Sequence, residues 1–317
     1  MIYVVIPVHN RKQHTLNCLA CLSRQTVTNF RTVVVDDGST DGTAEAINEQ
    51  FPDVIVLAGS GSLWWTGATN VGIRYAQEHW PQRTDNFILT LNDDTEIAPN
   101  YLETLLAAYW ANKPCIVGSI SVDVNNHDRL LYAGTGLNLW FPHISDWAKT
   151  QYGNNYETLR NSRRYLVSQS LPGRGMLIPQ RVFEVIGLFD EQRFQHYMSD
   201  IDFTVSARKA GFDMVVSVDS VVYEYADATG FDVKRQASFD EFKQALTSIK
   251  SPINYPVRLS FARKHAPLGV LYFGMDMLRI VGGYALRRGL RWSGRAARQQ
   301  PLGKSAASPE ANVQAYN

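Results

Sequence analysis

The residues best suited to chemistry are the polar triplet Asn92-Asp93-Asp94. They directly follow the apolar run Phe87–Leu91, which predicts a buried strand. Acidic side chains at the end of such a strand need a cation or a polar ligand to compensate them. Mg²⁺ and Mn²⁺ suit this place, because they take one or two carboxylates and complete their coordination with phosphate oxygens and water. The triplet therefore predicts a divalent cation that holds a phosphate.

Two other predicted strands end in polar residues that should meet this triplet. Ile2–Val8 is followed by His9 and Asn10, and Phe30–Val35 is followed by Asp36 and Asp37. Three segments between the strands have helical spacing: Gln13–Gln25, Thr40–Gln50 (with Thr40 or Asp41 as N-cap) and Thr69–Glu78. This alternation predicts βαβ units and a mostly parallel sheet, in which ligands bind beyond the carboxyl ends of the strands.

The second half of the chain is less regular. It contains apolar strand-like runs, short helical patterns and the loop signal Pro172–Met176, after a polar insertion at Ser145–Arg164. The predicted elements there are strands at Ile116–Val122, Tyr132–Leu139 and Phe212–Val222 and helices at Gln180–Ile186 and Asp202–Ala210.

Composition narrows the class of protein. The 317 residues carry a formal net charge of +1, which gives no electrostatic reason to expect nucleic acid. Three cysteines and no signal-peptide pattern favour the cytoplasm, and Cys18-x-x-Cys21 is interpreted as core packing over redox chemistry. The turn Pro7–Arg11 lacks the glycines of a dinucleotide-binding fold, and no Walker A sequence is present.

Five motifs resemble the signature of family 2 glycosyltransferases of the GT-A fold. They occur in order, between about residues 2 and 225, and resemble most the bacterial rhamnosyltransferase-like enzymes that build cell-surface polysaccharides. The motifs are Ile6–Asn10, Val35–Thr43, Trp64–Gly72, Leu91–Thr95 and Phe189–Glu191 continuing to Tyr197–Phe203. The resemblance implies an α/β GT-A fold with a mostly parallel central sheet, flanked by helices, and a C-terminal helical appendage.

The resemblance also implies roles on the donor side. Pro7, His9 and Asn10 would line the nucleotide pocket, and Asp37 would accept a hydrogen bond from a pyrimidine ring nitrogen. Asp94 would bind the metal, with Asn92 or Asp93 near the ribose; the alternative is a capped turn without metal. Trp65 would lie near the donor sugar. Gly67 and Asn70 would let the backbone come close to the donor diphosphate.

On the acceptor side, Asp200 is the candidate general base, and Asp202 is interpreted as structural. The loop Gly173, Arg174, Gly175 and Met176 would face the acceptor, with Arg174 either pairing with a phosphate or lying on the surface. Two positions depart from the family pattern. Ser199 replaces an acid, and Glu224 stands near the usual metal-binding His, either as a ligand or at an exposed strand end.

These assignments lead to a function and an alternative. The chain is predicted to be a metal-dependent inverting glycosyltransferase that uses dTDP-rhamnose or a UDP-sugar and a glycan or lipid-linked acceptor. The changes at Ser199 and Glu224 favour the alternative, a non-catalytic sugar-nucleotide or glycan-binding module that retains the fold.

The C-terminal segment suggests where in the cell the protein acts. A glycosyltransferase domain is expected over 1–255, with a nucleotide-binding half to about 115, and a disordered tail over 301–317. Between them, residues 256–300 combine many arginines with an apolar run that Asp276 and Arg279 interrupt. This pattern favours an amphipathic helix on an anionic membrane, on the inner face of the plasma membrane, over a helix that packs on the domain or forms a dimer.

Overall fold

The computed structural model describes residues 1–82, 85–225 and 238–298, with side chains through residue 289. The predicted tail, 301–317, lies outside these residues. The chain divides into two compact units, and the first runs from Met1 to Asp276. The functional boundary expected at residue 255 stays a prediction.

Strands and helices alternate through the first part of the chain, as the hydrophobic pattern predicts. The elements are β1 (Ile2–Val8), α1 (Lys12–Leu22), β2 (Phe30–Asp36), α2 (Thr43–Gln50), β3 (Ile55–Ala58), α3 (Trp64–His79), β4 (Phe87–Thr90), β5 (Thr95–Ile97) and α4 (Tyr101–Asn112).

The remaining elements are shorter, except for one long strand and the last helix. They are β6 (Cys115–Asp123), β7 (Asn126–Tyr132), β8 (Thr135–Asn138), β9 (His143–Asp146), α5 (Trp147–Thr150), α6 (Tyr156–Arg160), β10 (Tyr165–Ser168), β11 (Met176–Pro179), α7 (Gln180–Ile186), α8 (Ser199–Lys209), β12 (Asp213–Glu224), α9 (Phe239–Ala245), α10 (Tyr255–His265) and α11 (Val270–Arg298).

One mixed sheet forms the centre of the first unit, in the order β10-β12-β6-β11-β4-β1-β2-β3. The neighbours of β1 and β2 are parallel, as are β6 and β12, whereas β11 is antiparallel to both of its neighbours. Strand β1 is buried on both faces, as expected for a parallel strand covered by helices. The predicted α/β architecture with a mostly parallel sheet is confirmed.

Helices α2, α3 and α8 begin three or more residues away from their predicted starts. Helix α2 begins at Thr43 and not at Thr40, since Gly42 before it has a left-handed φ of 77°. Helix α3 begins at Trp64 and not at Thr69. Helix α8 begins at Ser199 and not at Asp202, so Asp200 lies in its first turn.

The chain after α9 is tied to the sheet domain by buried charges. Asp202 in α8 is 2% exposed and contacts His265 Nε2 at 2.7 Å and Lys264 Nζ at 2.8 Å, both from α10. Asp276 is also buried and pairs with Arg258 of α10. The contacts of Asp202 thus join α10 to α8, the pair of Asp276 joins α11 to α10, and the first of these supports the structural interpretation of Asp202.

Candidate active site

The carboxyl ends of three parallel strands lie side by side at one edge of the sheet. Val8 at the end of β1 pairs with Asp36 of β2, and Val5 pairs with Thr90 at the end of β4. Strand β11 runs the other way, and its first residue, Met176, pairs with Thr90. The loop before β11 therefore reaches the same edge, so the donor-side and acceptor-side candidates lie at one edge of the sheet.

Asp93 and Asp94 stand at this edge as two buried carboxylates, 6% and 5% exposed. Arg11 donates from Nη1 to Asp94 Oδ2 at 2.5 Å and lies 3.4 Å from Asp93 Oδ1. Burial and then the neighbouring charge of Asp94 raise the pKa of Asp93 to about 7, although Arg11 opposes this shift. A guanidinium thus compensates the acids for which the sequence predicted a cation.

This donor set fits a divalent cation that is shared with a ligand. The described residues contain no group of three or more His, Cys, Asp or Glu side chains that could hold a metal alone. Mg²⁺ is commonly held by one or two carboxylates together with substrate phosphates, and Asp94 with Asp93 provides the carboxylates. The position of Arg11 shows that positive charge is accommodated there.

The expected nucleotide pocket is organised around Asp37. Its Oδ2 accepts from the N–H groups of Leu63 and Trp64 at 2.9 and 3.0 Å, and its Oδ1 accepts from Gly61 at 2.7 Å. The carboxylate therefore caps the start of α3. Because a carboxylate has about four acceptor directions, the expected bond to a pyrimidine nitrogen remains a prediction for Oδ1.

His9 and Asn10 lie beside Asp37 and are exposed. His9 Nδ1 is 2.7 Å from the carbonyl oxygen of Asp37, and Asn10 Oδ1 accepts from the N–H of Thr40 at 2.8 Å. Pro7, half-buried in β1, precedes them. These bonds join the turns after β1 and β2 into one surface, where the nucleotide pocket was predicted.

Trp65 connects the metal-side triplet to the acceptor loop. Its Nε1 donates to Asn92 Oδ1 at 3.2 Å, which fastens the Asn92 side chain to α3. A Cβ built on Gly173 would overlap the Trp65 ring, which shows how closely the loop approaches. Trp65 is half-buried and also packs edge-on against Phe189.

The structure gives the side chain of Asn70 a packing role. It is 1% exposed, and both ends of its amide bond the main chain of Phe189, at 2.9 and 3.1 Å. The amide nitrogen also donates to Glu191 at 3.1 Å. Asn70 therefore fastens α3 to the turn at Phe189–Glu191, and the expected approach of its backbone to the diphosphate stays a prediction. Gly67 lies one turn earlier in α3, and its role remains a prediction.

Asp200 is held against the acceptor loop. Its Oδ2 accepts from the N–H of Gly173 at 3.0 Å, and its Oδ1 accepts from the N–H of Ile201 at 2.8 Å. Burial raises the pKa of Asp200, while these N–H groups and the nearby Arg174 charge oppose the shift. A carboxylate with a raised pKa is a stronger base, as deprotonation of a hydroxyl requires.

Arg174 and Glu224 form a buried ion pair with each other. Ser121 joins them, since its hydroxyl donates to Glu224 Oε1 at 2.6 Å and accepts from Arg174 Nε at 3.2 Å. Glu224 is 5% exposed, so the alternative of a solvent-exposed strand end is wrong. Arg174 is not a simple surface arginine either, because its charge neutralises Glu224 in the place of the expected cation.

The other two residues of the loop differ in what they can contact. Gly175 has a φ of 71°, and a Cβ there would lie 2.5 Å from Tyr101 Oη, so the loop requires glycine. Met176 is fully buried as the first residue of β11 and belongs to the hydrophobic core. The expectation that Met176 faces the acceptor is therefore corrected.

Sequence reasoning assigned no role in this site to Arg11, Lys250 or His196, of which the first two are cationic. Arg11 follows the first motif directly, so its place after β1 was a readable signal. His196 packs against the Trp64 ring at 5.9 Å, and Lys250 lies 5.7 Å above the same ring. Burial and the charges of Lys250 and Arg11 lower the pKa of His196. Such a surface suits an anionic ligand.

The sequence of the chain is similar to those of known glycosyltransferases. The model of the glycosyl transferase family 2 domain matches residues 3–186. An N-acetylglucosaminyl-diphospho-decaprenol L-rhamnosyltransferase of Mycobacterium tuberculosis is 28% identical over 248 residues, which is 72% of this chain and 78% of that protein.

Two solved structures share the fold at low identity. The mannosyltransferase PcManGT of Pyrobaculum calidifontis, in complex with GDP-Man and Mn²⁺, has a TM-score of 0.57 at 16% identity and covers 95% of this chain and 76% of its own. GalNAc-T7 with UDP, GalNAc and Mn²⁺ has a TM-score of 0.55 at 17% identity and covers 78% of this chain. The chain spans about half (49%) of GalNAc-T7. The protein has the GT-A fold and belongs to glycosyltransferase family 2, with a rhamnosyltransferase among its relatives.

Proposed function

We propose that the protein is a metal-dependent inverting glycosyltransferase that moves a sugar from dTDP-rhamnose or a UDP-sugar to a hydroxyl group. The observation that carries the proposal is a series of contacts from the predicted metal-side triplet to the predicted base: Trp65 donates to Asn92 and lies against Gly173, and Gly173 donates to Asp200. Mg²⁺ or Mn²⁺ at Asp94 would supply positive charge for the departing diphosphate.

The chain's own residues would deprotonate the acceptor and bind the donor. Asp200 accepts the proton of the acceptor hydroxyl while the hydroxyl oxygen forms a bond to the anomeric carbon of the donor. The bond from that carbon to the diphosphate oxygen breaks at the same time. The N–H groups of Gly173 and Ile201 hold the carboxylate in place. Attack from the face opposite the leaving group inverts the anomeric configuration.

The donor and the acceptor classes come from the relatives' names. The mycobacterial relative is named for rhamnose and for a diphospho-decaprenol carrier, and both related structures contain Mn²⁺ with a nucleotide. A lipid-linked or glycan acceptor in cell-surface polysaccharide synthesis follows as our proposal for this chain.

Transfer assays test the proposal against the alternative of a non-catalytic binding module. Wild-type protein should release nucleoside diphosphate from a nucleotide sugar in the presence of Mn²⁺, and Asp200→Asn should bind the nucleotide but lose turnover. Nucleotide binding without metal-dependent turnover by the wild type, across uridine, thymidine and guanosine diphosphate sugars, would favour the binding module.

We also propose that the C-terminal helix attaches the protein to the inner face of an anionic membrane. In the described residues, no helix combines the length and apolar character needed to cross a bilayer. Leu278 and Leu286 of α11 are 74% and 66% exposed, and the arginines at 279, 287 and 288 are also exposed. Exposed leucines with arginines on one helix suit an anionic lipid surface.

Vesicle flotation tests this attachment. Deletion from Pro267 would also remove Asp276, the partner of Arg258, so substitution is the sharper test. Leu278→Ser with Leu286→Ser should lower binding to phosphatidylglycerol vesicles, whereas the wild type should bind these more strongly than phosphatidylcholine vesicles. Equal binding by the wild type and the double variant would contradict the proposal.

A further inference from the structure

We infer that Arg11 takes the place of the divalent cation in the donor-free enzyme, and that it leaves Asp94 for the donor's diphosphate when the cation binds. This inference rests on the proposed function. It adds to that function a residue outside the predicted site and a coupling between two ligands.

The first step is the contact that Arg11 makes. Its Nη1 lies 2.5 Å from Asp94 Oδ2, and in the described part of the chain no other side chain donates to Asp94. Asp94 is only 5% exposed, so few directions of approach are open. Two cations in contact with the same carboxylate would repel each other, and a metal ion at this oxygen therefore requires Arg11 to move.

The second step is that Arg11 is able to move. Its side chain is 38% exposed, and the residue lies between β1 and α1, outside both elements. A guanidinium binds phosphate oxygens through charge-assisted, often bidentate hydrogen bonds. Lys250 lies 5.7 Å from the Trp64 ring and is a second cation on this part of the surface, which also suits an anionic ligand. The diphosphate can thus replace Asp94 as the partner of Arg11.

The consequence is a coupling between metal and nucleotide. Without nucleotide, the metal ion must break the Arg11–Asp94 pair, so the affinity of the protein for the metal ion is low. With nucleotide, the diphosphate would both ligate the metal ion and accept hydrogen bonds from Arg11, so the affinity for the metal ion should rise. Coupling free energies are reciprocal, so the metal should strengthen nucleotide binding by the same factor.

Titration of the full-length protein with Mn²⁺, followed by the electron paramagnetic resonance signal of free Mn²⁺, tests the coupling. Arg11→Gln should bind Mn²⁺ alone about tenfold more tightly than the wild type, within the usual range of coupling factors. Arg11→Lys keeps the charge and should resemble the wild type. Arg129→Gln is the matched control, because Arg129 pairs with another buried carboxylate, Asp123, at 3.1 Å. Uridine and thymidine diphosphate, each added separately, should tighten Mn²⁺ binding more in the wild type than in Arg11→Gln.

Equal Mn²⁺ affinity of the wild type and Arg11→Gln, without nucleotide, would overturn the inference. Failure of the proposed metal site looks different, since the wild type and Asp94→Asn would then bind Mn²⁺ alike in the presence of nucleotide. A measurement on the wild type is independent of variant stability. The NMR signal of the Arg11 Nε–H group should shift when Mg²⁺ and nucleotide are added together, and an unmoved signal would also overturn the inference.

Discussion

Replacing Arg174 by methionine should destabilise the fold through Glu224. The variant keeps the aliphatic stem but leaves a carboxylate, 6% exposed at its side chain, with the hydroxyl of Ser121 as its partner. Removing one member of a buried ion pair costs about 3–5 kcal/mol. Since the Arg174 side chain is 29% exposed, water can reach the vacated space, and we expect the lower end, about 3 kcal/mol.

This free energy converts to a measurable shift in melting temperature. At about 2.1 cal/mol/K per residue, a unit of roughly 280 residues has an unfolding entropy of about 0.6 kcal/mol/K, so Tm should fall by about 5 °C. Arg164→Met is the matched control. Its ion pair with Asp219 is exposed on both sides, so its loss should leave Tm almost unchanged.

A double-mutant cycle isolates the pair. Glu224→Gln removes the need for a cation, so Arg174→Met combined with Glu224→Gln should be more stable than Arg174→Met alone. The interaction energy should be about 2 kcal/mol, measured by urea denaturation. An interaction energy below about 0.5 kcal/mol would refute the reasoning. A large loss of Mn²⁺ affinity in Glu224→Gln would instead restore the predicted metal role of Glu224.

The other predictions concern the base and the packing under it. Asp200→Asn should lower kcat by about 10²–10⁴-fold with little change in nucleotide affinity, measured by product release and calorimetry. Because the base acts only when ionised and burial raises its pKa, kcat should decline on acidification at a pH above about 3.9, the value of an exposed aspartate; a rate that is constant down to that pH would contradict this. Gly72→Ala should cost about 1–3 kcal/mol in thermal unfolding, since its Cβ would overlap Val5. Gly274→Ala, in open space on a helix, should be neutral or stabilising, and equal losses in both would disprove the packing argument.

The sequence predicts most of the residues at the candidate site because they follow the carboxyl ends of parallel strands, where ligands bind in this class of fold. Once the strands are known to be parallel, the residues after β1, β2 and β4 must share one edge. Asp37 and Asp94 are placed in this way, and local hydrophobic patterns suffice. The strands that these residues follow, β2 and β4, lie where the hydrophobic pattern predicts them. Elsewhere in the chain, helix α7 has the predicted bounds, Gln180–Ile186.

The errors concern contacts between residues far apart in the chain. Arg11 and Asp94 are separated by 83 positions, and Glu224, at the end of β12, pairs with Arg174 in the loop before β11. The start of α3 depends on Asp37, 27 positions before Trp64. No local pattern encodes which polar group neutralises which, so the partner of Asn70 could not be predicted either.

Gly173 joins two properties that enzyme engineering would need to vary separately. Its N–H bonds Asp200, and its α-carbon rests against the ring of Trp65. A smaller side chain at position 65, chosen to admit a different sugar, would remove the surface that supports this glycine. If Trp65 contacts the donor sugar and Asp200 is the base, as we propose, donor selectivity and catalytic rate would change together through Trp65. A variant with altered selectivity and full activity requires a compensating substitution at position 173, such as Gly173→Ala beside Trp65→Phe.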